Sequence, residues 1–165
     1  MNAGDRFLAE IPRTCNSGVM WIDQRGAEVL SRPECLRLLA MAAKENHVGR
    51  LAVADLQAPL VVPLNFTYHE QLVFVRIGPG RVSELAPGAL VAFEIDKVAP
   101  SRGEAWSVLL QGLASTVATG EIPVIKMPRP WVPEPGDQVI SVRPDVVSGR
   151  RFRLIDSSGH EGTRI

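Results

Sequence analysis

The clearest chemistry in this 165-residue chain is a set of groups suited to binding an anion. Arg76 ends an apolar run, Gly78-Pro79-Gly80 breaks that run, and Arg81 opens a segment that can form one helical turn. Guanidinium groups and the backbone donors of a tight turn at a helix start are the partners that a phosphate needs. An arginine at a strand end usually faces solvent, so this pattern predicts a phosphate site only together with other features.

Two further segments have the chemistry to hold a planar ligand. Trp106 can cover a ring and Ser107 can donate to a phosphate or ribityl oxygen, although a tryptophan more commonly packs in a core or an interface. Pro63 lies within the β-prone run Leu60–Tyr68, where proline indicates a strand edge or a kink. An edge strand leaves backbone N–H and C=O groups for a ligand, and a planar heterocycle with alternating donors and acceptors can use them.

Other reaction types find little support in the residues. His47, His69 and His160 have no metal-ligand spacing and are expected at the surface. Glu94 and Asp96 alternate along one predicted strand, which is typical of a solvated face rather than a catalytic carboxylate pair. Eighteen basic residues balance eighteen acidic ones, so the net charge does not favour nucleic-acid or membrane-surface binding.

The N-terminus and the cysteines bear on localisation. The chain starts without a long apolar segment, and no stretch approaches the ~20 apolar residues of a membrane helix. Cys15 and Cys35 are too few for a disulfide framework, and Cys35 is expected to be a buried small apolar residue. These features predict a soluble, cytoplasmic protein.

The elements that must position these groups are mostly strands. Ser31 to Glu34 form a capping box before one apolar helical face, which predicts a helix that ends near Glu45 or Asn46. Leu60–Tyr68 and Leu72–Ile77 flank a short polar link and predict a hairpin. The remaining predicted strands are His47–Ala54, Ala89–Val98, Ala105–Thr119 with a bulge or bend at Gly112, and Gln138–Arg143. One helical turn is predicted over Arg81–Ala86, and an edge segment over Val146–Ile155. About six short, regularly spaced strands and one substantial helix indicate a barrel or a sandwich.

Taken in order, these segments resemble the pyridoxamine 5′-phosphate oxidase-like family of FMN-binding split β-barrels, in particular its small actinobacterial-type members. The resemblance lies in Leu30–Leu39, Val48–Val53, Pro59–Phe66, Leu72–Gly80, Val91–Asp96, Trp106–Gly112 and Val142–Arg151. It implies a mostly β (α+β) fold, a six-stranded antiparallel split barrel with one N-terminal helix and short helical turns. The barrel domain is expected over residues 29–155, between an N-terminal arm (1–28) and a C-terminal tail (156–165).

The resemblance also implies a homodimer with two cofactor sites at the interface, each built from both subunits. The cofactor is expected to be FMN, or alternatively the deazaflavin F420. The implied site residues are Val62, Pro63, Leu64 and Asn65 along the ring edge, Arg76, Ile77 and Arg81 around the phosphate, and Trp106 and Ser107 beside the cofactor.

Two positions depart from the family pattern. Ile77 stands where members often have Thr or Ser, and Val82 stands where they often have Lys, so Arg81 becomes the candidate replacement for that cation. Loss of one charge-assisted contact costs about 1.5–3 kcal/mol. The first expected function is therefore a flavin- or F420-dependent oxidoreductase that transfers a hydride to or from a small molecule. The alternatives are a non-catalytic flavin- or haem-binding, sensing dimer and a structural dimer with an empty site.

Overall fold

The first helix begins where the capping box predicts. The computed structural model describes residues 21–23, 26–118 and 137–153, and helix α1 spans Arg32–Lys44. The Ser31 backbone N–H donates to Glu34 Oε2 (3.1 Å), and Ser31 Oγ accepts from the Glu34 backbone N–H (3.5 Å). This reciprocal pair satisfies two donors that a helix start leaves open. The predicted helix is therefore confirmed, and its buried face consists of Cys35, Leu38, Leu39 and Ala42.

Eight antiparallel strands form a single sheet that closes on itself. The strands are β1 (Trp21–Ile22), β2 (Glu28–Val29), β3 (Val48–Val53), β4 (Leu60–His69), β5 (Leu72–Ile77), β6 (Leu90–Ala99), β7 (Glu104–Val117) and β8 (Gln138–Arg153). Their order is β1-β2-β8-β5-β4-β3-β6-β7, and β7 also pairs with β8. Strands β3 to β8 thus form a closed six-stranded antiparallel barrel, which confirms the predicted fold. Helix α2 (Arg81–Leu85) follows β5, and a 3-10 turn (Pro100–Arg102) joins β6 to β7.

The barrel interior is tightly packed. Its largest fully buried side chains are Phe93, Leu39, Leu51, Ile95, Leu110 and Ile140. The rings of Phe66 and Phe93 meet edge to face with their centroids 5.1 Å apart. Gly49 on β3 faces the Phe93 ring so closely that a Cβ at this position would overlap it. Only glycine fits there without displacing the ring, because protein interiors have almost no spare volume.

The prediction for the last strand was wrong. A strand ending at Arg143 and a separate edge segment were expected, but β8 is one strand from Gln138 to Arg153. It pairs with β5 over Gln138–Val142 and with β7 along nearly its whole length, so it is a central strand. Pro144, whose missing N–H suggested a break, lies opposite Gly112 where the register with β7 shifts by one residue. This bulge, predicted at Gly112, lets the strand continue past the proline.

The end of the predicted N-terminal arm contributes to the sheet. Strands β1 and β2 pair with each other, and β2 pairs with β8. Ion pairs between Asp23 and Arg150 (3.1 Å) and between Glu28 and Arg151 (3.0 Å) join this part of the chain to β8. Residues 1–20, the proline-rich stretch 128–136 and the predicted tail 156–165, with Cys15 and His160, lie outside the described residues.

Candidate functional site

Strands β4 and β5 form a hairpin that opens towards one end. They pair from Phe66–Val75 to His69–Leu72, next to the turn that joins them. In the described part of the chain, β4 residues before Phe66 pair with β3 alone, and Arg76 and Ile77 at the end of β5 pair with β8 alone. The barrel wall therefore has a gap between Val62–Asn65 and Arg76–Ile77, which we call the split. Two of the predicted groups of site residues border it from opposite sides.

Pro63 explains why β4 tolerates this gap. The residue lies opposite Arg50 of β3, and it cannot donate a backbone hydrogen bond to a strand on its other side. The side chains of Val62 and Leu64 pack against the core, whereas Pro63 is exposed. The interpretation of this segment as an edge is confirmed. What the segment can present to a ligand is the backbone of Val62 to Leu64 and the exposed Pro63.

Arg76 has an unusual environment for an arginine. Its Nε atom is buried and has no hydrogen-bond partner among the described residues. Continuing the hairpin register places Arg76 opposite Asn65, at the edge of the split. A buried donor without an acceptor costs about 1–3 kcal/mol, so this atom marks a place where an acceptor is missing. Ile77 faces the other way and packs in the core.

Arg81 is engaged by a carboxylate that the sequence analysis did not single out. Arg81 Nε donates to Asp55 Oδ2 (2.9 Å) and Nη2 donates to Asp55 Oδ1 (2.8 Å), while Nη1 lies 3.6 Å from Glu84 Oε2. The hydrogen bond from Arg81 holds the pKa of Asp55 below its usual value. The only signal in the sequence was an acid placed directly after an apolar strand. Val82, the other departure from the family pattern, packs in the core.

The turn between β5 and α2 is braced by its own hydrogen bonds. Gly80 has φ 150°, a backbone conformation that side chains disfavour. Its N–H donates to Ser83 Oγ (2.9 Å), and that hydroxyl donates to the Gly80 carbonyl (2.7 Å). Gln138 at the start of β8 donates to the Ser83 carbonyl (2.7 Å). The turn that carries Arg81 is therefore fixed to the same strand that pairs with Arg76.

Trp106 and Ser107 lie on β7, with β6 and β3 between them and the β4 side of the split. Ser107 pairs with Asp96 of β6, and the β3–β6 register continues from Asp96 to Val48, which pairs with Asn65 at the edge of the split. Three strand spacings of about 4.8 Å place Ser107 roughly 14 Å from Asn65 across the sheet. Trp106 is only 4% exposed and packs in the core, as the alternative interpretation had it, and Ser107 points to the outer face. Within one protomer, Ser107 therefore lies in the same cross-strand row as the split but three strands away from its β4 edge.

The outside of the barrel carries a largely apolar surface. Cross-strand neighbours run in one row over five strands, Val61, Ala52, Ala92, Gln111 and Val146. Leu90, which is 75% exposed, pairs with the exposed Leu113 beside this row, and Val146 is 51% exposed. A groove of about 550 Å³ runs through the surface between β3, β6, β7 and β8. We call this the outer apolar face. Contiguous exposed apolar residues, unlike single ones, mark interaction surfaces.

Comparison with known proteins agrees with the fold and the resemblance. Residues 31–151 match the family model described as pyridoxamine 5′-phosphate oxidase. The chain belongs to this family. An uncharacterized protein of Mycobacterium tuberculosis, Rv0080, is 32% identical over 74% of this chain and 84% of its own.

Two solved structures of the same fold are also similar to the chain. A Corynebacterium glutamicum protein has 25% identity and a TM-score of 0.64, covering 79% of this chain and 96% of the other. The FAD binding protein of Mycobacterium smegmatis has 28% identity and a TM-score of 0.62, covering 76% and 99%. The family match extends over the barrel, from the capping box of α1 to Arg151 in β8.

The described ranges contain neither a metal-binding cluster nor a membrane-spanning helix. Residues 21–23, 26–118 and 137–153 contain no group of three or more His, Cys, Asp or Glu side chains placed to hold a metal ion. Over the same residues, no helix is both long and apolar enough to cross a membrane. Of the predicted surface histidines, His47 and His69 are half-buried beside Glu45 and Glu70.

Proposed function

We propose that this chain binds a phosphate-bearing flavin-type cofactor at the split and uses it to exchange a hydride with a small molecule. The observation that carries the proposal is the buried Nε of Arg76, which has no partner among the described residues and lies at the edge of a gap in the barrel wall. A phosphate oxygen is the acceptor that such a guanidinium group favours, and the contact would remove the cost of the unsatisfied donor.

The other side of the split suits the ring of such a cofactor. Val62 to Leu64 have no second partner strand among the described residues, so their outward backbone groups face the gap. A ring with alternating donors and acceptors along one edge would match them. When bound, the flavin or deazaflavin ring supplies the hydride chemistry, and the protein positions it. The exposed Pro63 would pack beside the ring without competing for its hydrogen bonds.

The cofactor class is supported by the relatives. The Mycobacterium smegmatis structure, 28% identical to this chain, is named as an FAD binding protein. The family resemblance of the sequence favours FMN, with F420 as the alternative. These three molecules share a tricyclic ring and a phosphate-bearing side chain, which are the two features that the split fits. Titration of the protein with each of the three would distinguish them.

We further propose that the protein acts as a homodimer through the outer apolar face, with each cofactor site built from two protomers. Within one protomer, β6 and β3 lie between Ser107 and the β4 edge of the split, which places Ser107 roughly 14 Å from Asn65 across the sheet. A second copy packed on the outer apolar face can bring its own Trp106 and Ser107 row to the split. Val146→Asp, a charge placed in the middle of this face, should shift the protein to monomer in sedimentation equilibrium and weaken cofactor binding. Arg37→Glu, at an exposed position of α1, is the matched control and should leave the dimer intact.

The proposed function is tested by titrating the purified protein with FMN, FAD and F420, monitored by ring fluorescence, after an absorbance scan of the protein as isolated. Binding of one of them at micromolar or lower Kd is expected, and Arg76→Ala should weaken it by roughly tenfold to a hundredfold. Arg37→Ala removes an exposed arginine from α1 and should leave the Kd unchanged. Equal affinity of the Arg76→Ala and parent proteins would contradict the proposed site.

A non-catalytic flavin- or haem-binding dimer is the second candidate. It is favoured by the core positions of Ile77 and Val82, which give the split no hydroxyl or amine beyond its arginines and backbone. After the titration, the bound flavin would be photoreduced and its re-oxidation followed with a panel of small-molecule acceptors. Tight binding without accelerated re-oxidation would support the binding function, whereas rapid cycling would support the oxidoreductase. Tight haem binding in place of flavin would also favour the second candidate.

A further inference from the structure

Asp55 is held more firmly than the arginine that it binds. Its side chain is 12% exposed, whereas that of Arg81 is 53% exposed. Besides the two hydrogen bonds from Arg81, its Oδ1 accepts the backbone N–H of Leu56 (2.7 Å). Asp55 lies two residues after the end of β3, a central strand of the barrel, and α2 carries Arg81. The carboxylate is thus a fixed group, and the long arginine side chain is the part free to change its partner.

The contact uses the edge of Arg81 that would also bind a phosphate. Nε and Nη2 form the side-on fork of the guanidinium group, and carboxylates and phosphates both occupy such a fork with two parallel hydrogen bonds. Nη1, on the remaining edge, lies near Glu84. A phosphate and Asp55 cannot occupy the same fork, so they compete for Arg81.

The local charge also opposes a dianion. Arg76 and Arg81 contribute two positive charges, and Asp55 and Glu84 contribute two negative ones, which leaves a sum of zero. A phosphate monoester brings about −1.5 to −2 at neutral pH. The carboxylates of Asp55 and Glu84, which lie beside Arg81, therefore reduce the attraction that the two arginines would exert on the phosphate by themselves.

We propose that Asp55 is a latch on Arg81, and that by competing for the guanidinium fork it sets the affinity of the split for phosphate-bearing ligands. This inference rests on the proposed cofactor function, because it assumes that Arg76 and Arg81 serve the same phosphate. Ligand binding then exchanges one bidentate partner of Arg81 for another. Asp55→Asn removes the competing charge and keeps an oxygen for the Leu56 N–H, so it releases Arg81 with little change in shape.

The test compares FMN with riboflavin, which has the same ring and ribityl chain but no phosphate. Asp55→Asn should lower the Kd for FMN on the order of tenfold and leave the Kd for riboflavin unchanged. Adding Arg81→Ala to Asp55→Asn should abolish this gain, since the gain acts through Arg81. Glu45→Gln removes one negative charge from the exposed pair with Lys97 and should change neither Kd. Thermal unfolding of each variant controls for loss of structure.

The possible outcomes distinguish the latch from the proposed cofactor function on which it rests. Weaker FMN binding by Asp55→Asn would mean that Asp55 positions Arg81 instead of competing for it, and would overturn the latch. An equal change for FMN and riboflavin would overturn it as well, because the effect would not act on the phosphate. If the parent binds FMN, loses it with Arg76→Ala and gains nothing with Asp55→Asn, the proposed function stands and the latch fails. If no variant binds any flavin, both fail.

Discussion

The position of Ser107 leads to a strong test of how the site is assembled. Ser107 on β7 and Arg76 on β5 are separated by β6, β3 and β4 in one cross-strand row. Four strand spacings of about 4.8 Å make roughly 19 Å around the barrel. In the proposed dimer, a cofactor takes Arg76 from one protomer and Ser107 from the other. In a homodimer, Arg76→Ala should weaken cofactor binding by roughly tenfold to a hundredfold because the phosphate contact is lost, and Ser107→Phe should weaken it by bulk.

A heterodimer of the two variants separates the possible arrangements. In a shared site, one of the two positions combines the intact Arg76 of one protomer with the intact Ser107 of the other, and the second position carries both lesions. The heterodimer should thus bind about one cofactor per dimer instead of two, with the parent's Kd at that site. If each site were built from one protomer, both sites would carry a lesion and neither would bind with the parent's Kd.

The assay needs pure heterodimer. The two variants would be co-expressed with different affinity tags and purified over both resins, and cofactor stoichiometry would be measured by absorbance and fluorescence titration. Sedimentation equilibrium confirms that the sample is dimeric. Heterodimer that binds no cofactor would refute the shared site. Normal binding by the Ser107→Phe homodimer would refute the place given to Ser107, whatever the heterodimer does.

Three further predictions concern the fold. Gly49→Ala should lower the free energy of unfolding by about 1–3 kcal/mol in urea denaturation, because its Cβ would overlap the Phe93 ring; an unchanged midpoint would contradict this packing. Cys35 is buried and its pKa is raised to about 11 by burial, so it should react with a thiol reagent at pH 8 only after unfolding. Ser31→Ala should cost about 1 kcal/mol at neutral pH. Because hydrogen bonds from Ser31 lower the pKa of Glu34, this cost should shrink as acid protonates Glu34 below its usual pKa of 4.5, and a pH-independent cost would argue against the capping box.

The elements that the sequence predicted well are those encoded by local signals. The capping box places the start of α1 at Ser31, because both of its hydrogen bonds lie within four residues. The β4–β5 hairpin follows from two β-prone runs separated by a short polar link, and the break at Gly78 to Gly80 follows from glycine and proline chemistry. The strand edge at Pro63 also follows from one residue. In each case the residues that decide the structure are neighbours in the chain.

What the sequence did not predict depends on distant partners. Pro144 is a break signal by itself, and only the register shift opposite Gly112 on β7 shows how β8 continues through it. Arg32 reinforces the bulge by donating to the Pro144 carbonyl (3.0 Å) from 112 residues away. The Asp55–Arg81 pair joins residues that are 26 positions apart. No local rule distinguishes an arginine held by a carboxylate from one that is available to a ligand.

The two departures from the family pattern have a different meaning once the fold is known. Ile77 alternates with Arg76 on β5 and points into the core, and Val82 packs there from α2. A hydroxyl or an ammonium group at these positions would therefore be attached to a buried residue, and it would need a hydrogen-bond partner or have to reach the surface. The apolar residues stabilise the barrel next to the split instead. Phosphate affinity then depends on Arg76, on Arg81 and on the acid that competes for Arg81, which is why the strength of cofactor binding should respond to Asp55.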